Sequence, residues 1–314
     1  MSRAARLLLR ISPDEASFER RGFRAASVTA RRRLEAVGRT FLFGYNTALE
    51  SPGPDELAGR LETVEAERRG FAYEGASMAL ALLDRLAPWN GGRFARWVAG
   101  PADSHAYMAH VGAGWVLARI PLGRARALGR MDPLLRWLAV DGVGFHEGYF
   151  HPERTVVHCQ VPRRLEGYAR RAFDQGLGRA LWFVHGADAQ AIAATLERFP
   201  AGRRADLWSG VGLACTYAGG ADPGAFDVLR RAGARFRAEL AQGAAFAAGA
   251  RARAGNPAPH TDAACRAFCG ASADEAAAAT TETLHDLHPA PDAPAYEVWR
   301  LRLRLRFLRT PAAV

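Results

Sequence analysis

Arg68-Arg69-Gly70-Phe71-Ala72-Tyr73-Glu74-Gly75-Ala76-Ser77-Met78-Ala79 returns, roughly 130 residues later, as Arg203-Arg204-Ala205-Asp206-Leu207-Trp208-Ser209-Gly210-Val211-Gly212-Leu213-Ala214. The paired arginines, the aromatic and the small residues keep their order. Upstream, Leu61-Glu62 matches Leu196-Glu197, and Arg33-Leu34-Glu35 recurs as Arg164-Leu165-Glu166. Between these, Arg39, Phe41, Gly44, Ala48 and Leu49 match Arg171, Phe173, Gly176, Ala180 and Leu181. Ordered matches of this kind point to duplication of one structural unit.

The unit reads as helical. Val37, Phe41, Tyr45 and Leu49 are four apart, as are Tyr168, Ala172, Gly176 and Ala180, the spacing of one helical face. Pro52-Gly53-Pro54 breaks the first copy and Asp55 is the expected cap of the next helix; Gly186 and Asp188 take those roles in the second. Gly75 with Ala79, and Gly210 with Ala214, are small residues suited to close helix packing. Two segments carry strand patterns: Thr155 to Val161 is β-branched, and Arg300 to Phe307 alternates leucine or phenylalanine with arginine. The expected fold is mainly α, a helical bundle built from two tandem repeats, with a small antiparallel sheet near the C-terminus. Its parts are an N-terminal arm (1–30), repeat one (31–155), repeat two (156–290) and a strand-like C-terminal segment (291–314), the repeats packing as one domain.

With 314 residues, 49% hydrophobic, the chain can bury a proper core. Its formal charge of +10 comes from arginine alone, since the sequence has no lysine. That excludes Schiff-base lysine chemistry, a lysine general base and a lysine-bearing phosphate loop. Arginine usage of this kind accompanies abundant alanine and glycine, and no aromatic-basic interleaving marks a nucleic-acid platform. No apolar run approaches the ~20 residues of a membrane helix; Ala76 to Leu83 ends at Asp84. Met1 to Ser12 lacks an export signal, so the expected location is the cytoplasm, with Cys159, Cys215, Cys265 and Cys269 as free thiols.

Titratable residues crowd Asp141-Gly142-Val143-Gly144-Phe145-His146-Glu147-Gly148-Tyr149-Phe150-His151-Pro152. The spacing is not that of a zinc protease, because His146 and His151 are five apart, about 140° around a helix. Glu147 and His151 share a face, and a Gly-rich turn can gather all three as metal ligands or as an acid/base group. His105 and His110 repeat the five-residue separation and are the second candidate pair of ligands for a metal or haem. Glu74 stands in an apolar helix where the second copy has Ser209, which marks it as a candidate catalytic carboxylate. Asp174 with Gln175, and Asp206, are further polar candidates. Gly75-Ala76-Ser77 looks like part of a nucleophile elbow, but Ser77 pairs with Gly212 in the repeat, a packing position. Cys265 and Cys269 lack the spacing of a common zinc knuckle, although His260, His285 and His288 lie nearby in sequence.

The stretches Arg68 to Asp84, His105 to Trp115, Gly144 to Pro152, Arg171 to Gly178 and Arg204 to Ala214 resemble an actinobacterial family of unknown function. Its members are often encoded beside the iterative polyketide synthases that make enediyne antibiotics. The resemblance runs from about Ser17 to about Ala290. It implies a role in turning a linear polyene into the enediyne core, or in a related natural-product pathway, and supplies no catalytic residues.

Two expectations follow. In one, the protein is an enzyme that modifies or cyclises a hydrophobic polyene, with Glu74, His146, Glu147 and His151 as catalytic groups and His105 and His110 as metal ligands. In the other, it is a non-catalytic binder of the polyene or a scaffold for other pathway proteins, with Tyr73, Tyr107, Trp115, Phe145, Tyr149 and Trp208 lining an apolar site. No nucleic-acid partner and no membrane span are expected.

Overall fold

The computed structural model describes residues 6, 8–51 and 53–308. Met1 to Ala5, Leu7, Pro52 and Arg309 to Val314 lie outside the described residues, and with them parts of the expected N-terminal arm, of the Pro52-Gly53-Pro54 break and of the C-terminal segment. The described residues form helices and short helical turns; no strand occurs among them beyond one isolated bridge between Ala290 and Ala293. No helix among them is long and apolar enough to cross a membrane.

The chain divides into two compact units. The first comprises Met1–Gly22, Glu35–Val143 and Arg253–Asn256, and the second Phe23–Leu34, Gly144–Ala252 and Pro257–Val314. In the first unit lie most of α1 (Val28–Glu50), then α2 (Ala66–Leu86), α3 (Ala106–Arg119) and the first half of α4 (Arg136–Phe150). The second holds the rest of α4, then α5 (Tyr168–Val184), α6 (Ala201–Ala218), most of α7 (Arg237–Ala254), α8 (Pro259–Cys269), α9 (Ala273–Glu282) and α10 (Ala295–Leu308).

Glycine sets how these helices meet. In the first unit, a side chain on Gly44 would run into the carbonyl of Ala72, on Gly75 into that of Phe41, and on Gly112 into that of Glu74. Gly114 and Gly142 meet Ala139 and Val111 in the same way. In the second unit the pairs are Gly144 with Phe173, Gly178 with Leu207, Gly210 with Gln175, Gly212 with Leu240 and Gly243 with Ser209. Each bare Cα admits the neighbouring backbone to a distance at which weak Cα–H···O contacts replace side-chain interdigitation. Gly75 and Gly210, read in the sequence as packing residues, therefore sit at helix crossings, and Val37, Phe41, Tyr45 and Leu49 form a buried face of α1.

Three local expectations are corrected. The alternating Arg300 to Phe307 segment is helix α10, not a strand. Arg300 is fully buried, its Nη1 2.7 Å from Asp206 and 3.2 Å from Glu297, while Glu297 also pairs with Arg304 and, at 2.9 Å, with Arg171. Leu303 is buried as well, and Leu301 and Leu305 face outward. Once arginines take inward positions against buried acids, alternation no longer reports strand geometry. Thr155 to Val161 is likewise no strand: Glu153–Val157 makes a π-type turn, and the Thr155 hydroxyl donates to the carbonyls of Glu147 (3.2 Å) and His151 (3.0 Å). The helix Pro54–Glu62 is capped by Gly53 with Pro54 in its first turn, not by Asp55, whereas Asp188 accepts from the Gln190 and Ala191 amides at 3.0 Å.

Candidate metal centre

Helix α4 carries two glycines one turn apart near its C-terminal end, both against α5. Gly144 abuts the Phe173 backbone, and Gly148 has room for no Cβ beside Ala180 and Leu177. His146 and Glu147, between the two glycines in sequence, are buried, with 4% and 8% exposure. The helix continues for one hydrogen bond, from the His151 amide to the Glu147 carbonyl at 2.9 Å, before Pro152 and the π-type turn close it.

This termination gathers three ligand-capable groups. Glu147 Oε1 lies 3.5 Å from His146 Nδ1, and Oε2 lies 3.4 Å from His151 Nδ1. One donor atom from each of the three residues falls within 4.8 Å of the others, and among the described residues no other trio of His, Cys, Asp or Glu does so. Seen down the helix, Glu147 stands about 100° from His146 and His151 about 140° from it, so the carboxylate bridges a gap the histidines would not close by themselves. The imidazole rings are 6.0 Å apart between centroids, and His146 rests on Phe150 at 4.7 Å.

The electrostatics suit a cation. Burial pushes the Glu147 carboxyl up, but His146, then His151 and Arg154, outweigh it and hold the group below its ordinary value. The His151 side chain is 45% exposed, so the cluster opens to solvent on that side. Donors bound to one first-row ion at ~2.0–2.2 Å stand roughly 3–3.6 Å apart, and Glu147 lies 3.5 Å and 3.4 Å from the two imidazole nitrogens. Two imidazoles and one carboxylate suit zinc, iron or manganese and leave coordination positions for water or substrate.

The other candidate residues take different places. Tyr73, Glu74, His105, Tyr107, His110 and Trp115 belong to the first unit. Tyr73 stacks between Trp97 (5.3 Å) and His105 (4.0 Å) and donates to Glu62 at 2.9 Å. Burial and the nearby Arg69 push His105 down to about 4, so it is neutral at pH 7. His110 hydrogen-bonds through Nδ1 to the Ala106 carbonyl (2.8 Å) and meets the edge of Phe94. Trp115 stacks on Phe41 at 4.5 Å, and Arg253 lies over Tyr107. Glu74 is buried on α2, and its carbonyl receives Gly112. Ser77 donates to the Tyr73 carbonyl at 2.7 Å and accepts from the Trp97 indole at 3.0 Å. In the second unit, Tyr149 meets Phe23 edge-on (5.1 Å) and stacks on Phe145, and Trp208 stacks on Phe236.

Asp174 and Asp206 are ion-pair members: Arg203 chelates Asp174 and also donates to the Cys159 carbonyl, and Arg171 and Arg300 hold Asp206. Arg300, Glu297, Gln242 and Tyr168 complete a buried polar network that sequence reasoning missed. The four cysteines are unbridged, and His260 packs against Arg33 and the Tyr217 carbonyl. Residues 1–307 match a family model whose description is "Protein of unknown function (DUF1702)". No curated protein and no solved structure matches the chain.

Proposed function

The chain belongs to the DUF1702 family, and from that premise we propose that it is a metal-dependent enzyme whose centre is His146, Glu147 and His151. One observation carries the reading: two imidazoles and one carboxylate converge within 4.8 Å at a helix end, with one member open to solvent. A bound divalent cation of the iron-to-zinc range supplies Lewis-acid or redox chemistry there. Glu147 provides the anionic ligand, His146 the buried imidazole and His151 the solvent-exposed one. Phe145, Tyr149 and Phe150 make the packing around α4's end aromatic, with Phe150 half-buried beside His146. The substrate class that fits the sequence resemblance is a polyene of enediyne or related natural-product biosynthesis, handled in the cytoplasm.

The finer architecture belongs to the same proposal. The order long helix, short helix, long helix, short helix, 3-10 turn, long helix runs through α5, α6 and α7, and through α1, α2 and α3 with one added 3-10 turn, Pro88–Asn90, after α2. This order supports the reading of two tandem repeats, with α4 and its histidines at the end of the first copy.

Elemental analysis and the absorption spectrum of the purified protein test the assignment. One equivalent of a transition metal, lost in His146→Ala and Glu147→Gln with the helical circular-dichroism signal intact, is the expected result. A metal-free protein that takes up no divalent ion after dialysis against it would remove the enzyme from the metal-dependent class.

A further inference from the structure

The first unit ends two of its long helices in loops that present bulky apolar side chains outward. Trp89, just beyond α2, is 81% exposed, and Leu122, just beyond α3, is 76% exposed; Leu86, in the last turn of α2, adds a third at 40%. The two loops are held side by side, because Arg85 donates to the carbonyls of Ile120 and Leu122. Trp89, Leu122 and Leu86, held together by the Arg85 hydrogen bonds, are three apolar side chains whose burial against a neighbouring surface is favourable.

The charge around them is one-sided. From Arg85 to Met131 the sequence has seven arginines and a single acid, Asp103. Asp103 is engaged by Arg253 at 2.9 Å, and Asp84, just outside this span, is engaged by Arg93 at 3.1 Å. Arg96, Arg126 and Arg130 are exposed and enter no ion pair with an acid among the described residues. The stretch that carries Trp89 and Leu122 is thus strongly basic, with Asp132, just past its end, held by the Leu134 and Leu135 amides.

We propose that this corner docks on an anionic lipid surface. Arginines pair with lipid phosphates or serine carboxylates, while Trp89 and Leu122 enter the headgroup boundary, where an amphipathic indole is most at home. Charge complementarity selects an anionic partner, and apolar tips select a bilayer over nucleic acid, whose backbone offers them no apolar environment. The attachment is peripheral and reversible.

Vesicle co-sedimentation of the full chain tests this, with phosphatidylcholine vesicles with and without phosphatidylserine, at low and high salt. Binding is expected only with phosphatidylserine and weakens with salt. Arg126→Gln with Arg130→Gln lowers it about 30-fold, from about fivefold per arginine near an anionic surface. Trp89→Ser with Leu122→Ser lowers it at least about tenfold. All four residues are surface positions, and circular dichroism checks the fold of each variant. Absence of binding to anionic vesicles at low salt overturns the proposal. So does binding unchanged by Trp89→Ser and Leu122→Ser, which reduces the face to a nonspecific polycation, or competition by duplex DNA at equal strength, which gives it another partner.

Discussion

Two histidine pairs in this molecule have the same spacing and different surroundings. His105 with His110, in the first unit, and His146 with His151, in the second, are each five residues apart near a helix end among aromatics. The members of the first pair have separate partners: His105 stacks on Tyr73, and His110 is tied to its own helix through Ala106. The charge beside His105 is a cation, Arg69, which together with burial keeps the ring neutral. The second pair converges because Glu147 stands between its members. Spacing alone does not make a ligand set; an anion interposed at the right angle does.

The largest effect expected from breaking this contrast is structural. Gly144→Ala places a methyl group against the Phe173 carbonyl, where nothing flexible can yield, and is expected to destabilise the second unit by more than about 3 kcal/mol in urea unfolding. Gly148→Ala, which meets the side chains of Ala180 and Leu177, is expected to cost less. Equal losses would deny that backbone approach positions the segment of α4 that carries His146 and Glu147.

Acid sharpens the difference between the pairs. His105 titrates near 6.5 in the unfolded chain and at about 4 in the folded one, so between those values the unfolded state binds more protons. Stability from this group is complete above pH 6.5 and falls as pH drops toward 4, by about 3 kcal/mol. His105→Phe keeps a ring on Tyr73 without the titration and should flatten that part of the pH dependence, read from unfolding curves at neutral and acid pH. An unchanged slope would show that His105 is solvated. A smaller loss, about 1–2 kcal/mol, is expected of Ser77→Ala, which leaves the buried Trp97 indole N–H without its acceptor. Full tolerance would mean that Ser77 has no structural part beside the first pair.

How much of this was legible follows from what each signal depends on. The buried face of α1 and the Asp188 cap depend on residues a few positions away, and the sequence periodicity carries them. Small residues at crossings were visible as Gly75 and Gly210, although the carbonyls they admit belong to other helices. The cluster at His146, Glu147 and His151 was legible because all three lie within one helix end. Helix α10 was not, since the inward turn of Arg300 is decided in part by Asp206, distant in sequence on α6. The same applies to His105: its stacking on Tyr73 comes from α2 and is absent from any local pattern.

The most direct test of the central claim is titration with Co²⁺, whose d–d spectrum reports coordination, of the intact chain, of Glu147→Gln, and of a His105→Gln, His110→Gln double variant. The account expects one equivalent bound by the intact chain and by the double variant with affinities within about twofold, and affinity lowered at least about 100-fold in Glu147→Gln. Binding that survives Glu147→Gln, or that disappears with His105 and His110, would contradict it.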